Sequence, residues 1–337
     1  MVEGRHEEYK ELAERLKEAI KPLGNASYLD TITQRAKTPN CIKGFVRFAY
    51  DIANRIEKFA LNPPESAIWT EGSEKYPKLK VTDINADDFL EDFWETKKNI
   101  LLTSATISVN DSFRYMARRL GINVKYKTGI YETPFDYKEQ MKYVIPKDFD
   151  PSNDKDFDDK VMRAIKRIVD SGFDKTLILF TSYRQMNDLL RHIKREFGDE
   201  YLVLEQSKNL SKGFILNKFR DEEKAILVAQ AASFGTGVDV KGNKNIILAK
   251  LNFDNPSDPI VKARGIAIKK AGGNEFMDLA IPTVCLKTKQ QVGRGIRSSS
   301  DRAYVGILDG RLLTRRWGKI IRNSLPPRGQ KTIIDYV

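Results

Sequence analysis

Thr176-Leu-Ile-Leu-Phe-Thr181 is a short, β-rich and almost wholly apolar run, and it leads through Ser182-Tyr183 into a stretch, Gln185 to Phe197, where Met186, Leu189, Leu190, Ile193 and Phe197 fall on one helical stripe. A strand without polar alternation has to be buried on both faces, and an amphipathic helix directly after it supplies part of the cover. The same pattern recurs at Tyr201 to Leu204 (YLVL), Ala225 to Ala229 (AILVA), Asn245 to Leu251 (NIILAKL) and Ala303 to Leu308 (AYVGIL). Helical periodicity fills the gaps at Phe157 to Val169, Ser211 to Arg220 and Val284 to Arg297. Strands of this kind alternating with helices predict an open α/β domain, a parallel sheet with helices on both faces. Its ligands belong at the C-terminal strand ends, in the loops that follow.

Upstream the pattern differs. Residues 7 to 62 read as helical, with Leu12, Leu16, Ala19 and Ile20 on one face, and Phe45, Ala49, Ile52, Ile56, Phe59 and Ala60 on another, until Pro63-Pro64 stops the run. Short strands are expected at Ser66 to Thr70 and Lys78 to Thr82, a helix at Phe89 to Glu95 and a buried strand at Asn99 to Thr103. The expected division is therefore a mostly helical segment with short strands over residues 1–98 and the α/β domain over 99–337. Lys147 to Lys160, rich in Asp and Lys, reads as an exposed connector, and there is no internal repeat.

Composition narrows the chemistry. The 337 residues are 41% hydrophobic and 31% charged, as in a soluble globular protein, and 58 Lys+Arg against 46 Asp+Glu give a net charge of +12. A pI near 9.4 favours a polyanionic partner. Cys41 and Cys285 are too few and too far apart for a disulfide framework or a four-cysteine metal or iron–sulfur site, and they read as reduced packing residues of a cytoplasmic protein. With only His6 and His192, zinc hydrolase, heme and Ser-His-Asp chemistry are disfavoured. No signal peptide or membrane span is expected, because the N-terminus is charged and no run of about 18 apolar residues occurs.

The informative residues follow the strands. Thr103-Ser104-Ala105-Thr106 and Thr181-Ser182-Tyr183 are hydroxyl-rich exits, and the second opens a helix whose N-terminal amides could hold a phosphate. Ser233-Phe-Gly-Thr-Gly-Val-Asp-Val-Lys-Gly242 carries three glycines that allow close backbone approach to a ligand. Gln290-Gln-Val-Gly-Arg294-Gly-Ile-Arg297 places two arginines three apart, which on a helix share a face. Taken singly, these are also ordinary turns, caps and solvated cations.

Together and in order, the four stretches resemble motifs III, IV, V and VI of superfamily 2 helicases, specifically the DinG branch of the XPD-like DNA helicases. Thr133-Pro-Phe-Asp-Tyr137, Asn255 through Arg264, and Ile307-Leu-Asp-Gly-Arg311 extend the resemblance from about residue 66 to Pro326. It implies a RecA-like lobe that closes on ATP and Mg2+. Gln290, Arg294 and Arg297 would reach the nucleotide, Gly237 and Asp239 (motif V) would link nucleotide state to the strand, and Ser104 and Thr106 (motif III) would couple hydrolysis to lobe movement. Thr181, Ser182 and Tyr183 (motif IV) would contact phosphates of single-stranded DNA. Where relatives usually carry Trp and Glu in motif V, this sequence has Gly235 and Thr236; Phe234 and Tyr183 are candidates to stack on bases or to pack in the core or cleft, and Phe253 reads more as packing than as stacking.

No Gly-x-x-x-x-Gly-Lys-Ser/Thr and no Asp-Glu-x-His after a strand occurs. The resemblance therefore implies a second motor lobe whose phosphate and magnesium clamp sits on a P-loop-bearing first lobe, in cis or as a separate subunit. No iron–sulfur cluster is expected in this chain. A fragment of a longer helicase is favoured over a natural half, and the chain alone is expected to be inactive. The alternative is a non-catalytic nucleic-acid-binding or regulatory protein derived from such a lobe; a nuclease activity would have to lie upstream.

Overall fold

The computed structural model describes residues 6–24, 48–57, 66–73, 76–97, 99–131, 133–207, 209–235, 237, 240–326 and 333–334. They fall into two compact units, neither continuous in sequence: 1–88 with 255–273, and 89–254 with 274–337. The first unit's N-terminal part ends at residue 88, and residues 255–273 group with it.

The second unit holds a seven-stranded sheet. Its strands are β3 (Met141–Val144), β4 (Lys175–Phe180), β5 (Leu202–Glu205), β6 (Ala225–Gln230), β7 (Lys244–Leu248), β8 (Ala303–Ile307) and β9 (Ile333–Ile334). They lie in the order β5-β6-β4-β7-β8-β3-β9, and every pairing is parallel. β3 and β9 were not expected from the sequence; Met141–Val144 interleaves Lys142 with apolar residues and is too short to carry a period.

Register sorts the apolar side chains into two layers. Leu204, Leu227, Leu177, Ile246, Val305 and Tyr143 align across six strands. They face a core completed by Ile215, Leu216 and Phe219 of helix Lys212–Asp221, Val284 and Cys285 of helix Ile281–Val292, and Ile321 of helix Gly318–Ser324. One residue along, Val228, Ile178, Ile247 and Val144 face the opposite core. Helices Phe157–Asp170 and Tyr183–Phe197 close that side with Val161, Ile165, Ile168, Met186, Leu189 and Ile193. This two-sided burial is why the strands lack polar alternation. Cys285 is a free thiol that burial pushes up to about 11, whereas Cys41 lies outside the described residues.

The run at Asn99 to Thr103 does not form the expected buried strand: it pairs with nothing described, and Leu101 is 87% exposed. Its apolar content is a strand signal, yet no edge of this sheet takes it up.

In the first unit, β1 (Ser66–Ser73) and β2 (Tyr76–Asp83) form an antiparallel hairpin. Helix Pro259–Lys270 packs on β1. Asp258 caps that helix by accepting from the Ile260 and Val261 N–H groups, and Arg264 Nε donates to the Ile84 carbonyl at 2.7 Å. Helices His6–Gly24 and 48–57 carry the Lys17–Glu57 ion pair. The remainder of the helical run read over 7–62, with Pro63 and Pro64, lies outside the described residues. Among those residues no helix is long and apolar enough to cross a membrane.

Leu227 sits fully buried in β6, where its side chain is walled by neighbouring strands and a helix layer. Leu227→Ala is expected to lower unfolding free energy by about 3 kcal/mol, read as a lower urea midpoint with an unchanged slope.

Candidate functional site

Because all strands of the sheet run the same way, the segments after β4, β5, β6, β7 and β8 emerge at one edge. After β4, Ser182 caps helix Tyr183–Phe197, its hydroxyl accepting from the Gln185 N–H at a long 3.5 Å. Thr181 lies just before it, and the Tyr183 ring is 56% exposed. These three therefore lie at the edge beside a helix N-terminus.

After β6 the chain makes a single turn, Ala231–Phe234, and enters the glycine loop. Gly237 and Gly242 have φ of +72° and +87°, conformations that L side chains resist, so these two glycines are needed for the path of the backbone. Gly235 has an ordinary right-handed φ, but a Cβ there would lie 2.1 Å from the Ala231 carbonyl oxygen, so it is needed for space. Asp239 and Thr236 lie outside the described residues.

Arg294 and Arg297 do not share a helical face. Helix Ile281–Val292 ends before them, with Gly293 at its C-cap, so the spacing of three no longer acts on an α-helix. Arg294 is buried and its Nε donates to the Gly235 carbonyl at 2.8 Å. Arg297 is exposed. On the preceding turn, Gln290 Nε2 donates to Thr106 Oγ1 at 3.3 Å, and Thr106 N–H donates to Ser104 Oγ at 3.1 Å. Hydroxyl exit, glycine loop and arginine segment thus meet through direct hydrogen bonds, although they are far apart in sequence.

Arg297 is positioned by a residue that motif spacing did not single out. Asp301, 1% exposed, accepts from the Arg297 N–H (2.8 Å), the Ser298 N–H (3.2 Å), the Ser298 hydroxyl (2.7 Å) and the Gly242 N–H (3.0 Å). The buried Lys244 ammonium lies 3.6 Å away and donates to the Gly295 carbonyl. Gln140 Nε2 donates to the carbonyls of Ser298, Ser299 and Asp301. Burial opposes ionisation of Asp301, but these hydrogen bonds and Lys244 outweigh it and hold the carboxyl below its ordinary value. One carboxylate therefore ties the end of the glycine loop to the start of the Arg297 segment. The available signal was Lys244 itself, a lysine at the start of a buried strand, which requires a buried partner.

Residues 165–328 match the helicase C-terminal domain family. Over 270 residues the chain is 32% identical to the ATP-dependent DNA helicase YoaA of Escherichia coli K12, covering 79% of this chain and 42% of the relative. It is 34% identical over 255 residues to the ATP-dependent DNA helicase DinG of Photobacterium profundum, covering 72% of this chain and 36% of the relative. An XPD helicase structure superposes with a TM-score of 0.56 at 15% identity over 88% of this chain and 54% of that one. The Xpd4 structure of S. tokodaii gives 0.55 at 16% identity over 90% and 59%. The chain carries a helicase C-terminal domain, is similar in sequence to the DinG and YoaA helicases, and shares the fold of the XPD structures. It spans about two fifths of the length of the curated relatives it matches.

Asp301→Asn should lower stability by about 3 kcal/mol at neutral pH, since it leaves the buried Lys244 ammonium without its carboxylate. The carboxyl is depressed in the folded state, so its contribution is present above the ordinary 3.8 and lost as pH falls through the lower folded value. In urea titrations the difference between wild type and variant should therefore shrink below about pH 4.

Proposed function

We propose that this chain is the second motor lobe of an ATP-dependent DNA helicase, supplying a guanidinium to ATP hydrolysis and gripping single-stranded DNA. The observation that carries it is that the Gln290–Arg294 segment reaches two other motifs by hydrogen bonds, Gln290 to Thr106 and Arg294 to the Gly235 carbonyl. A protein that only bound strands would have no need for this assembly at the nucleotide side of the lobe.

Within this proposal the arginines divide their work. Arg294, held on the Gly235 carbonyl, fixes the motif V loop, while the exposed Arg297 reaches for the γ-phosphate. A guanidinium there offsets charge that develops as the phosphoryl group transfers, an effect of about a thousandfold or more in rate. Gln290 and Thr106, with Ser104 behind them, would report nucleotide occupancy to the hydroxyl exit. Gly237 and Asp239 would link the loop to the strand, and Thr181, Ser182 and Tyr183 would take its phosphates and stack on a base. Such binding follows the backbone rather than the sequence and weakens steeply with salt.

ATP and Mg2+ are assigned mainly to a P-loop-bearing first lobe, in cis or as a separate subunit, of which residues 1–98 carry a remnant. The exposed apolar run Ile100-Leu101-Leu102 supports such a partner, because an extended apolar segment without a sheet is a strand that lacks its neighbours.

The isolated chain should hydrolyse ATP negligibly with or without single-stranded DNA, and a separately expressed P-loop lobe should restore strand-stimulated turnover on mixing. Robust hydrolysis by the pure chain would overturn the proposal, and silence after mixing with strand binding intact would favour a binding module. In the restored assembly Arg297→Ala should cost about a thousandfold in kcat and leave strand affinity within about twofold.

A further inference from the structure

Gln206 belongs to none of the helicase motifs, yet it stands between two of them. It follows β5, and β5, β6 and β4 are adjacent, so the residues leaving these three strands meet at the same edge. Its Oε1 accepts the Gln230 N–H at 2.9 Å, and a backbone donor there fixes the amide orientation. The Nε2 group is then turned outward with two hydrogens to give. One goes to the Tyr183 hydroxyl at 3.2 Å and the other to Ser233 Oγ at 3.3 Å.

The Ser233 carbonyl in turn accepts from Lys212 Nζ at 2.6 Å, and that ammonium lies 5.1 Å from the centre of the Phe234 ring. Two residues on, the Gly235 carbonyl is held by Arg294. Lys212 and Arg294, from two different segments, thus hold carbonyls two residues apart on one loop, and burial and then the positive charge of Arg294 lower the Lys212 ammonium below its ordinary value.

We infer that Gln206 is a positioning residue that couples the strand-side Tyr183 to the loop held by Arg294, with Lys212 as the next link. The inference rests on the motor-lobe proposal for what Tyr183 and Arg294 contact. Its physical content is that both Nε2 hydrogens and the Oε1 of Gln206 are engaged locally. A shift of Tyr183 on strand binding must therefore either break one bond or move Ser233, and Ser233 moves with the loop. Charge steering alone would not do this, because it would act on Arg294 without a defined direction.

Gln206→Leu keeps the side-chain volume and removes all three bonds; Tyr183→Phe, on an exposed ring, removes only the hydroxyl. In the two-lobed assembly Gln206→Leu should lower the maximal strand-stimulated kcat by about tenfold. The unstimulated rate, the KM for ATP and the strand concentration for half-maximal stimulation should stay within about twofold. Tyr183→Phe added to Gln206→Leu should cause no further loss of stimulation. Equal loss in the unstimulated rate, or full additivity of the two changes, would overturn the coupling role.

Hydrogen exchange in the chain alone decides the matter separately. Oligo(dT) should slow exchange at the Gln230 and Gly235 amides in wild type and not in Gln206→Leu. The same response in both proteins would overturn this inference even if the assembly is an active motor. Absence of hydrolysis by the wild-type assembly would instead overturn the motor-lobe proposal, leaving the exchange result to judge Gln206.

Discussion

Parallel pairing of strands that are buried on both faces is the constraint from which the rest follows. A parallel strand cannot be reached by a tight hairpin, so each connection must cross the sheet and cover it. The cover makes both faces apolar, and the polar chemistry is expelled to the edge where the strands end. Ser182, Gln206, Ser233 and the Asp309–Arg311 pair occupy that edge because they follow β4, β5, β6 and β8.

Within the edge, two buried charged groups set the geometry of the loops. Asp301, with Lys244, fastens the end of the glycine loop to the Arg297 segment, and Arg294 fastens its beginning. Both devices use a charge to hold backbone groups, N–H for the carboxylate and carbonyl for the guanidinium, and hydrogen bonds to charged groups are the stronger kind. The consequence is a division between a buried arginine and an exposed one. The same logic places Gln206 between hydroxyls, where a neutral amide can be fully satisfied without fixing a charge.

Much of this was legible in advance, for reasons that differ between elements. β4, β6, β7 and β8 each contain a continuous apolar run, and helix Tyr183–Phe197 has a clean stripe, so local pattern already recorded their burial. β3 and β9 were missed because four and two residues carry no period. The Asn99–Thr103 run was misread for the opposite reason. Its residues have the composition of a buried strand, but burial needs a neighbour, and composition does not say on which body that neighbour lies.

By itself the sequence determined the class of fold, the order of the motifs and the residue types at the site, since these depend on local pattern and on spacing along the chain. The tertiary structure alone decided that Arg294 is buried and Arg297 exposed, that Asp301 and Gln206 hold the loops, and that residues 255–273 join the first unit. The physical reason is that a hydrogen-bond partner is chosen by which strands lie side by side. Strand order β5-β6-β4-β7-β8-β3-β9 brings together loops that no periodicity connects.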